Sequence, residues 1–396
     1  MNAEVWIAAE PTSASNRPAP ADIGDIAVIG VLPRTQRSFG VSIETMFSET
    51  GYNTGNVAFA VAAHEQMCGT KTYYDYDFDP AVLNERHQRV VMVCANMVNP
   101  YLDLWPLADK IERLRIPFCA FSMGVQAPLH QSNIALTDGT TRFLRAASER
   151  AASLGIRGEA TAAILDRLGI HNWRIVGCPS NFLNTGTNFV NHDWRTVLAR
   201  PGGKLGVHVE NVAPFATYIA HCRRLAAEAP HWFIVQSPGG SLRLVFEAHT
   251  DQSALAPGGL AWLAPFGATG HADGRRLLRE KFRCFFAMGE WISAMGDLNF
   301  SFGARLHGNI VAMQCGVPAL VVVHDERTRE LAECLALPHV LLEDFFCLRS
   351  LTEAVEITIE RLAGYPARRR ELAREYVGML TDNGLVPSIG LRGVAA

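Results

Sequence analysis

The 396-residue chain carries nine cysteines but no Cys-x-x-C pair. That excludes the usual zinc-ribbon and dithiol redox motifs, and no metal-ligand set is read from the sequence. Several cysteines sit in apolar runs, as in VVMVCAN and IPFCAFS, and are expected to be buried free thiols suited to a reducing cytoplasm. No run of about eighteen apolar residues occurs, so no membrane-spanning helix is expected. The first residues lack a basic stretch followed by an apolar one, so no secretory leader is expected. Charge is sparse and balanced: 19% of residues are charged and the net charge is −3. Nothing in that balance points to nucleic acid or a membrane surface as a general partner, and any anionic ligand must be held by a local site. Internal repeats and low-complexity tracts are also lacking.

Apolar residues make up 48% of the chain. At this length two cores are expected rather than one. Buried, strand-like runs alternate with helical segments. IAVIGVL (26–32), RVVMVCAN (89–96), IPFCAFS (116–122), 154–157 and NWRIVG (172–177) read as strands of a first half. KLGVHVE (204–210), HWFIVQS (231–237), DLNFSFG (297–303) and PALVVVH (318–324) read as strands of a second. Continuous apolar strands separated by helices predict parallel sheets covered on both faces, hence two Rossmann-like domains with a cleft between them. We expect an N-terminal domain over 1–190, with 1–22 as a loose arm containing PTSASNRPAPAD, and a C-terminal domain over 200–345. A crossing segment lies near 183–203. A Gly/Pro-rich loop is expected at 256–274 and a helix at 275–293. One long helix over 351–380, within a 350–396 tail, is expected to pack back across both domains.

The most informative string is FSFGARLHGNIVAMQCGVPAL (300–320). A strand runs into Gly303, which permits a sharp turn. A helix then begins near Arg305. Helix starts at the open ends of parallel strands attract anions through free N–H groups. Arg305 adds a forked cation suited to carboxylate or phosphate. His307 can hold or transfer a proton near neutral pH. Gly308 leaves room for a close ligand. Other polar groups stand at predicted strand ends: Ser122, Gly124 and Gln126; Gln236 and Ser237 before Gly239-Gly240, an anion-cradling turn or an ordinary loop; and His324 and Asp325, with Arg327 and Glu330 as an ion-pair network or a ligand shell. His208 lies within a strand and reads as core. His130 is a candidate second imidazole. Asn53 is a candidate helix cap.

These blocks resemble the polysaccharide pyruvyl transferase family. SFGARLHGNIVAMQCGVPAL (301–320) and HDERTREL (324–331) carry the resemblance most specifically. GYNTGNVAFA (51–60) is similar to the family's Asn-x-Gly-Asp loop, FCAFSMGVQAP (118–128) to its strand ending in a Gly/Ser turn, and SLGIRGEATAAILDRLGI (153–170) to its Val-Arg-Asp segment. The resemblance implies a glycosyltransferase-B-like architecture and transfer of pyruvate from phosphoenolpyruvate to sugar hydroxyls as a ketal. No cofactor is implied, because phosphoenolpyruvate is itself the donor substrate. The partners implied are that small donor and a sugar or glycan acceptor, with the acceptor on the N-terminal side and the donor on the C-terminal side; a homo-oligomer is left open. Arg305 and His307 then become the catalytic pair and Arg157 a holder of donor carboxylate or phosphate. Asn53, Gly55 and Asn56 become binding residues. The chain departs from the family at three acids: Asn56 replaces an Asp, Cys178 stands where an Asp-Pro is usual, and Gly158-Glu159 follows Arg157. A nucleotide-sugar glycosyltransferase and a non-catalytic glycan- or anion-binding relative are the alternatives.

Overall fold

Short apolar runs become parallel strands because both of their faces are covered. In the computed structural model, IAVI forms β1 (Ile26–Ile29), RVVMV forms β3 (Arg89–Val93) and FCAF forms β4 (Phe118–Phe121), almost entirely buried. The structure describes residues 24–36, 41–131, 134–186, 194–237, 239–250, 255 and 258–396. The expected loose arm lies outside those residues, as does part of the expected crossing.

The first sheet has the order β2-β1-β3-β4, where β2 is Lys71–Tyr74, and every pair is parallel. β5 (Leu154–Ile156) and β6 (Trp173–Ile175) pair in parallel as a two-stranded sheet, which a parallel bridge from Met123, just beyond β4, to Ile156 joins to the edge of the first. The second sheet is built from β7 (Lys204–Val209), β8 (His231–Val235), β9 (Phe282–Arg283), β10 (Leu298–Gly303), β11 (Ala319–Val323) and β12 (His339–Leu341). Its order is β12-β11-β10-β7-β8-β9, again all parallel. The α/β class with two Rossmann-like parallel sheets is therefore observed. In the second sheet the strand order reverses between β10 and β7. That switch point is where an open parallel sheet leaves a crevice beyond its strand ends.

Several expected elements differ. The stretch expected as a loop to 274 holds a helix at Gly259–Leu263 and a 3₁₀ turn at Ala264–Phe266. Leu263 and Phe266 are buried there, and that packing outweighs the local glycines. The helix expected at 275–293 is two helices, His271–Lys281 and Met288–Met295, interrupted by β9. Phe282 pairs with Phe233 on β8 and is fully buried, which pulls the chain out of helix. The long C-terminal helix is also two, Leu351–Arg361 and Tyr365–Asp382, divided by a 3₁₀ turn at Leu362–Gly364 with Pro366 just beyond. The edge strands β2 and β12 were not foreseen, because KTYY and HVL are short and only partly buried.

The chain returns to the first sheet at its C-terminal end. Tyr376 packs its ring against Phe121 and Phe182, and the Cys119 thiol meets Met379 Sδ at 3.6 Å. Arg89 donates to the Asn383 carbonyl at 2.7 Å, and Ser388 N–H to that of Gln66 at 2.8 Å. No helix among the described residues is long and apolar enough to cross a membrane.

Candidate active site

At the switch point, β10 ends on Gly303 with φ +133°, and a Cβ there would lie 2.4 Å from the His208 carbonyl oxygen. Only glycine fits this turn. Arg305 follows as the N-cap of the helix Leu306–Gln314. Glu210, immediately after β7, places Oε2 2.7 Å from Arg305 Nε across the reversal. The pair is close, but the N–H is not aligned on the oxygen, and Arg305 Nε has no hydrogen-bond partner. Burial is the main reason the guanidinium is lowered to about 10, opposed by Glu210.

A buried polar relay holds the turn together. Gln236 Nε2 lies 3.2 Å from His208 Nδ1, and His208 Nε2 lies 2.9 Å from Ser301 Oγ. Ser301 Oγ donates to Asn309 Oδ1 at 2.9 Å, and Asn309 Nδ2 donates to the Gly303 and Arg305 carbonyls. An amide N–H₂ only donates, so His208 accepts at Nδ1 and carries its proton on Nε2. Burial lowers this imidazole to about 3, so it stays neutral. His208 is thus a core residue, as its place within a strand suggested. Gly308 is explained by the same packing: a Cβ there would lie 2.1 Å from His208 Nδ1 and 2.5 Å from Gln236 Nε2. Its missing side chain is filled by protein, in place of the close ligand expected from the sequence. Gln236 likewise serves His208, and its carbonyl accepts from Thr54 N–H at 3.0 Å. Ser237 is half-buried beside it, and Gly239 begins a helix packed near Tyr52. The supposed cradle includes residue 238, outside the described residues.

The first half closes the crevice from the other side. Thr54, not Asn53, is the N-cap of the helix Gly55–Gln66, although Asn53 Oδ1 accepts from Gly55 N–H at 3.0 Å. Gly55 backs onto His307: a Cβ would lie 3.3 Å from His307 Cβ. Asn56 turns away and donates to the Thr50 carbonyl at 2.9 Å, a structural role. Ser122 adopts φ +63° at the end of β4 and is fully buried. Its Oγ accepts from Arg157 Nε at 3.3 Å, while Arg157 Nη1 donates to Asn96 Oδ1 at 2.7 Å. Gly124 lies under this side chain, with a Cβ position only 2.4 Å from Arg157 Cδ.

Arg157 is 1% exposed, its partners Ser122 and Asn96 are both neutral, and Nη2 has no hydrogen-bond partner. Nearby Glu330 is turned to the Thr161 and Val125 amides, at 2.6 and 3.4 Å. A buried guanidinium without a carboxylate partner costs several kcal/mol and is satisfied by an anionic ligand. Arg327, just inside the helix Glu326–Cys334, adds a third guanidinium. Its Nε is buried without a hydrogen bond and lies 3.5 Å from Asp325 Oδ2. Asp325 is the N-cap of that helix in a capping box with Thr328. Burial opposes its charge, but Arg327, His324 and the Thr328 hydrogen bonds prevail and hold it at about 2. It is a fixed anion that orients Arg327.

Arg157, Arg305, Arg327, His307, Asn53 and Gln236 line one narrow crevice, with Leu306 and Leu331 as its apolar wall. His307 is part-buried, with Nε2 3.6 Å from Cys178 Sγ and its ring 5.7 Å from that of Phe59. Burial, then the fields of Arg157, Arg327 and Arg305, holds it well below the ordinary imidazole range. The site is thus a neutral imidazole beside three guanidiniums. His130 is not among the lining residues; its backbone N–H donates to Glu326 Oε2 at 3.1 Å. Glu159 is exposed and away from the crevice. Asn96 and Glu210 were overlooked because the sequence reading absorbed them into strands. Glu210 directly follows β7 and Asn96 lies three residues past β3, and those places at buried strand ends were the signal available.

No curated protein sequence matches this chain. Among solved structures, the UDP complex of MnaA from S. aureus is 10% identical, with TM-score 0.46 over 90% of this chain and 98% of that one. The UDP-GlcNAc 2-epimerase of Neisseria meningitidis is 10% identical, with TM-score 0.43 over 88% and 93%. That of Methanocaldococcus jannaschii is 11% identical, with TM-score 0.42 over 85% and 92%. The family model for polysaccharide pyruvyl transferase matches residues 65–326, taking in Arg157, Cys178, Arg305 and His307 and ending just short of Arg327. With most of its length so matched, the chain belongs to the polysaccharide pyruvyl transferase family.

Proposed function

We propose that this enzyme transfers pyruvate from phosphoenolpyruvate to hydroxyls of a sugar or glycan precursor. The observation that supports the reading is Arg157, a fully buried guanidinium with neutral hydrogen-bond partners and an unpartnered Nη2, in a crevice that two further arginines also line. Phosphoenolpyruvate combines a carboxylate and a phosphate on three carbons, and such a dense polyanion matches guanidiniums set around one crevice. The donor site then draws on both halves, Arg157 from the first and Arg305 and Arg327 from the second. The acceptor approaches from the N-terminal half. Nine free cysteines, together with a phosphorylated metabolite as the proposed donor, support a cytoplasmic reaction.

The chemistry balances without a cofactor. The methylene carbon of the donor gains a proton, leaving an oxocarbenium-like centre at C2. A first acceptor hydroxyl forms a C–O bond there and gives up its proton. The C2–O bond to phosphate breaks, inorganic phosphate leaves, and a second hydroxyl closes the ketal as it loses its proton. The guanidiniums stabilise the departing phosphate, and His307 is the titratable group beside it. The test is isotope-labelled phosphoenolpyruvate with candidate glycans, scoring phosphate release and label in the glycan. No release, with thermal stabilisation by nucleoside diphosphates but not by phosphoenolpyruvate, would replace this reading with nucleotide-sugar transfer.

A further inference from the structure

Cys178 stands where a carboxylate is usual in relatives, and the structure puts its sulfur against the reacting histidine. The segment Cys178–Asn184 is clamped on three sides. Gln66 donates to the Pro179 and Phe182 carbonyls at 3.0 and 3.1 Å. Asn184 donates two 3.0 Å hydrogen bonds, from its backbone N–H and its side-chain amide, to Gln314 of the His307 helix. Tyr365 and Arg369 of the C-terminal helix bond Asn181 at 2.8 and 3.0 Å. Cys178 is fully buried, with Sγ 3.1 Å from Ser180 Oγ and 3.6 Å from His307 Nε2. His307 lines the crevice, and with Nε2 beside Cys178, Nδ1 is the ring nitrogen not engaged by the sulfur. The charged groups around this imidazole are Arg305 on its own turn, Arg157 beyond β5 and Arg327 beyond β11, with Glu210 beside Arg305 and Asp325 beside Arg327.

We infer that Cys178 is a positioning residue that sets the tautomer of His307: its S–H donates to Nε2, so that a protonated Nδ1 faces the crevice. A thiol is a weak acceptor but carries a proton to give, whereas an imidazole nitrogen accepts well. The ionisable side chains that line the crevice then present donors, three guanidiniums and one N–H, which suits a polyanion. A carboxylate at 178 can only accept. It would take the proton onto Nε2 and turn a lone pair toward the anion. The inference deepens the pyruvyl-transfer reading, but its first test does not depend on it.

That test is nitrogen NMR of the full-length protein labelled with ¹⁵N-histidine, assigned with His307→Gln. Wild type and Cys178→Ser should show protonated Nδ1 and bare Nε2. Cys178→Asp should show the reverse. Titration with phosphoenolpyruvate should then give near wild-type affinity for Cys178→Ser and at least about tenfold weaker binding for Cys178→Asp, as expected for losing a hydrogen bond to a charged group. In activity assays, the Asp variant should shift the pH profile upward, because a carboxylate favours imidazolium. A wild type protonated on Nε2, or one tautomer shared by all three proteins, would overturn the inference. If the tautomers change as expected and phosphoenolpyruvate binds none of the proteins, the positioning role stands and the donor assignment falls.

Discussion

Arg157 holds its charge where folding alone would not place one. Its neutral hydrogen-bond partners and the field of Glu330 leave part of the cost of burial for the proposed anionic donor to offset, so stability and binding should respond oppositely to its removal. Arg157→Gln should weaken phosphoenolpyruvate binding about 10–100-fold, the loss of a charge-assisted contact, while leaving the melting temperature unchanged or raised. Calorimetry and thermal denaturation together check this; a large fall in stability would mean that Arg157 is structural. His208 makes the opposite kind of residue-scale prediction. Its folded-state imidazole is lowered to about 3 from an ordinary value of 6.5. Below pH 6.5 the unfolded chain therefore binds a proton that the folded chain refuses. The stability is present above pH 6.5 and is lost as pH falls toward 3, by at most about 1.4 kcal/mol per pH unit for this proton. Urea unfolding of His208→Gln from pH 7 to 4 should show a shallower loss than wild type.

At the scale of elements, the turn from β10 into the His307 helix depends on two glycines for different reasons. Gly303 supplies a backbone conformation, and Gly308 supplies space for His208 and Gln236. Gly308→Ala should therefore cost about 1–3 kcal/mol through overpacking, measured by urea denaturation, and should displace the Gln236–Thr54 contact that joins the halves. Much of this turn was readable beforehand: the strand, Gly303, and Arg305 and His307 at a helix start all follow from local pattern. The role of Gly308 was not, because the atoms that fill its space come from residues 208 and 236, distant in sequence. Asn56 shows the same limit. Its amide bonds a backbone carbonyl in the preceding turn, and nothing in a residue type reveals which way it faces.

Across the whole molecule, three remote segments meet behind the crevice. The helix Glu326–Cys334 is tied to the first half through Glu330 and through Glu326, whose N–H donates to the Ala127 carbonyl at 3.1 Å. The helix Tyr365–Asp382 fastens the Cys178–Asn184 segment through Arg369, which also donates to the Asn184 carbonyl. Arg369→Met should leave those buried carbonyls unsatisfied, at a cost of about 1–3 kcal/mol. Faster hydrogen exchange across residues 178–184, with reduced turnover, is the expected result; unchanged exchange would show that the clamp does not depend on Arg369.

The sequence by itself determined the alternation of strands and helices, the two parallel sheets and the place of Arg305 and His307 at a strand-to-helix turn, because these depend on local periodicity and on turn chemistry. Only the tertiary structure decided that Arg157 and Arg327 line one crevice with them, that Glu210 and Asp325 lie beside two of the three guanidiniums, and that the Cys178 sulfur stands against the imidazole. Those relations are distances between residues far apart in the chain, and burial, which sets their charges, exists only once the chain has folded.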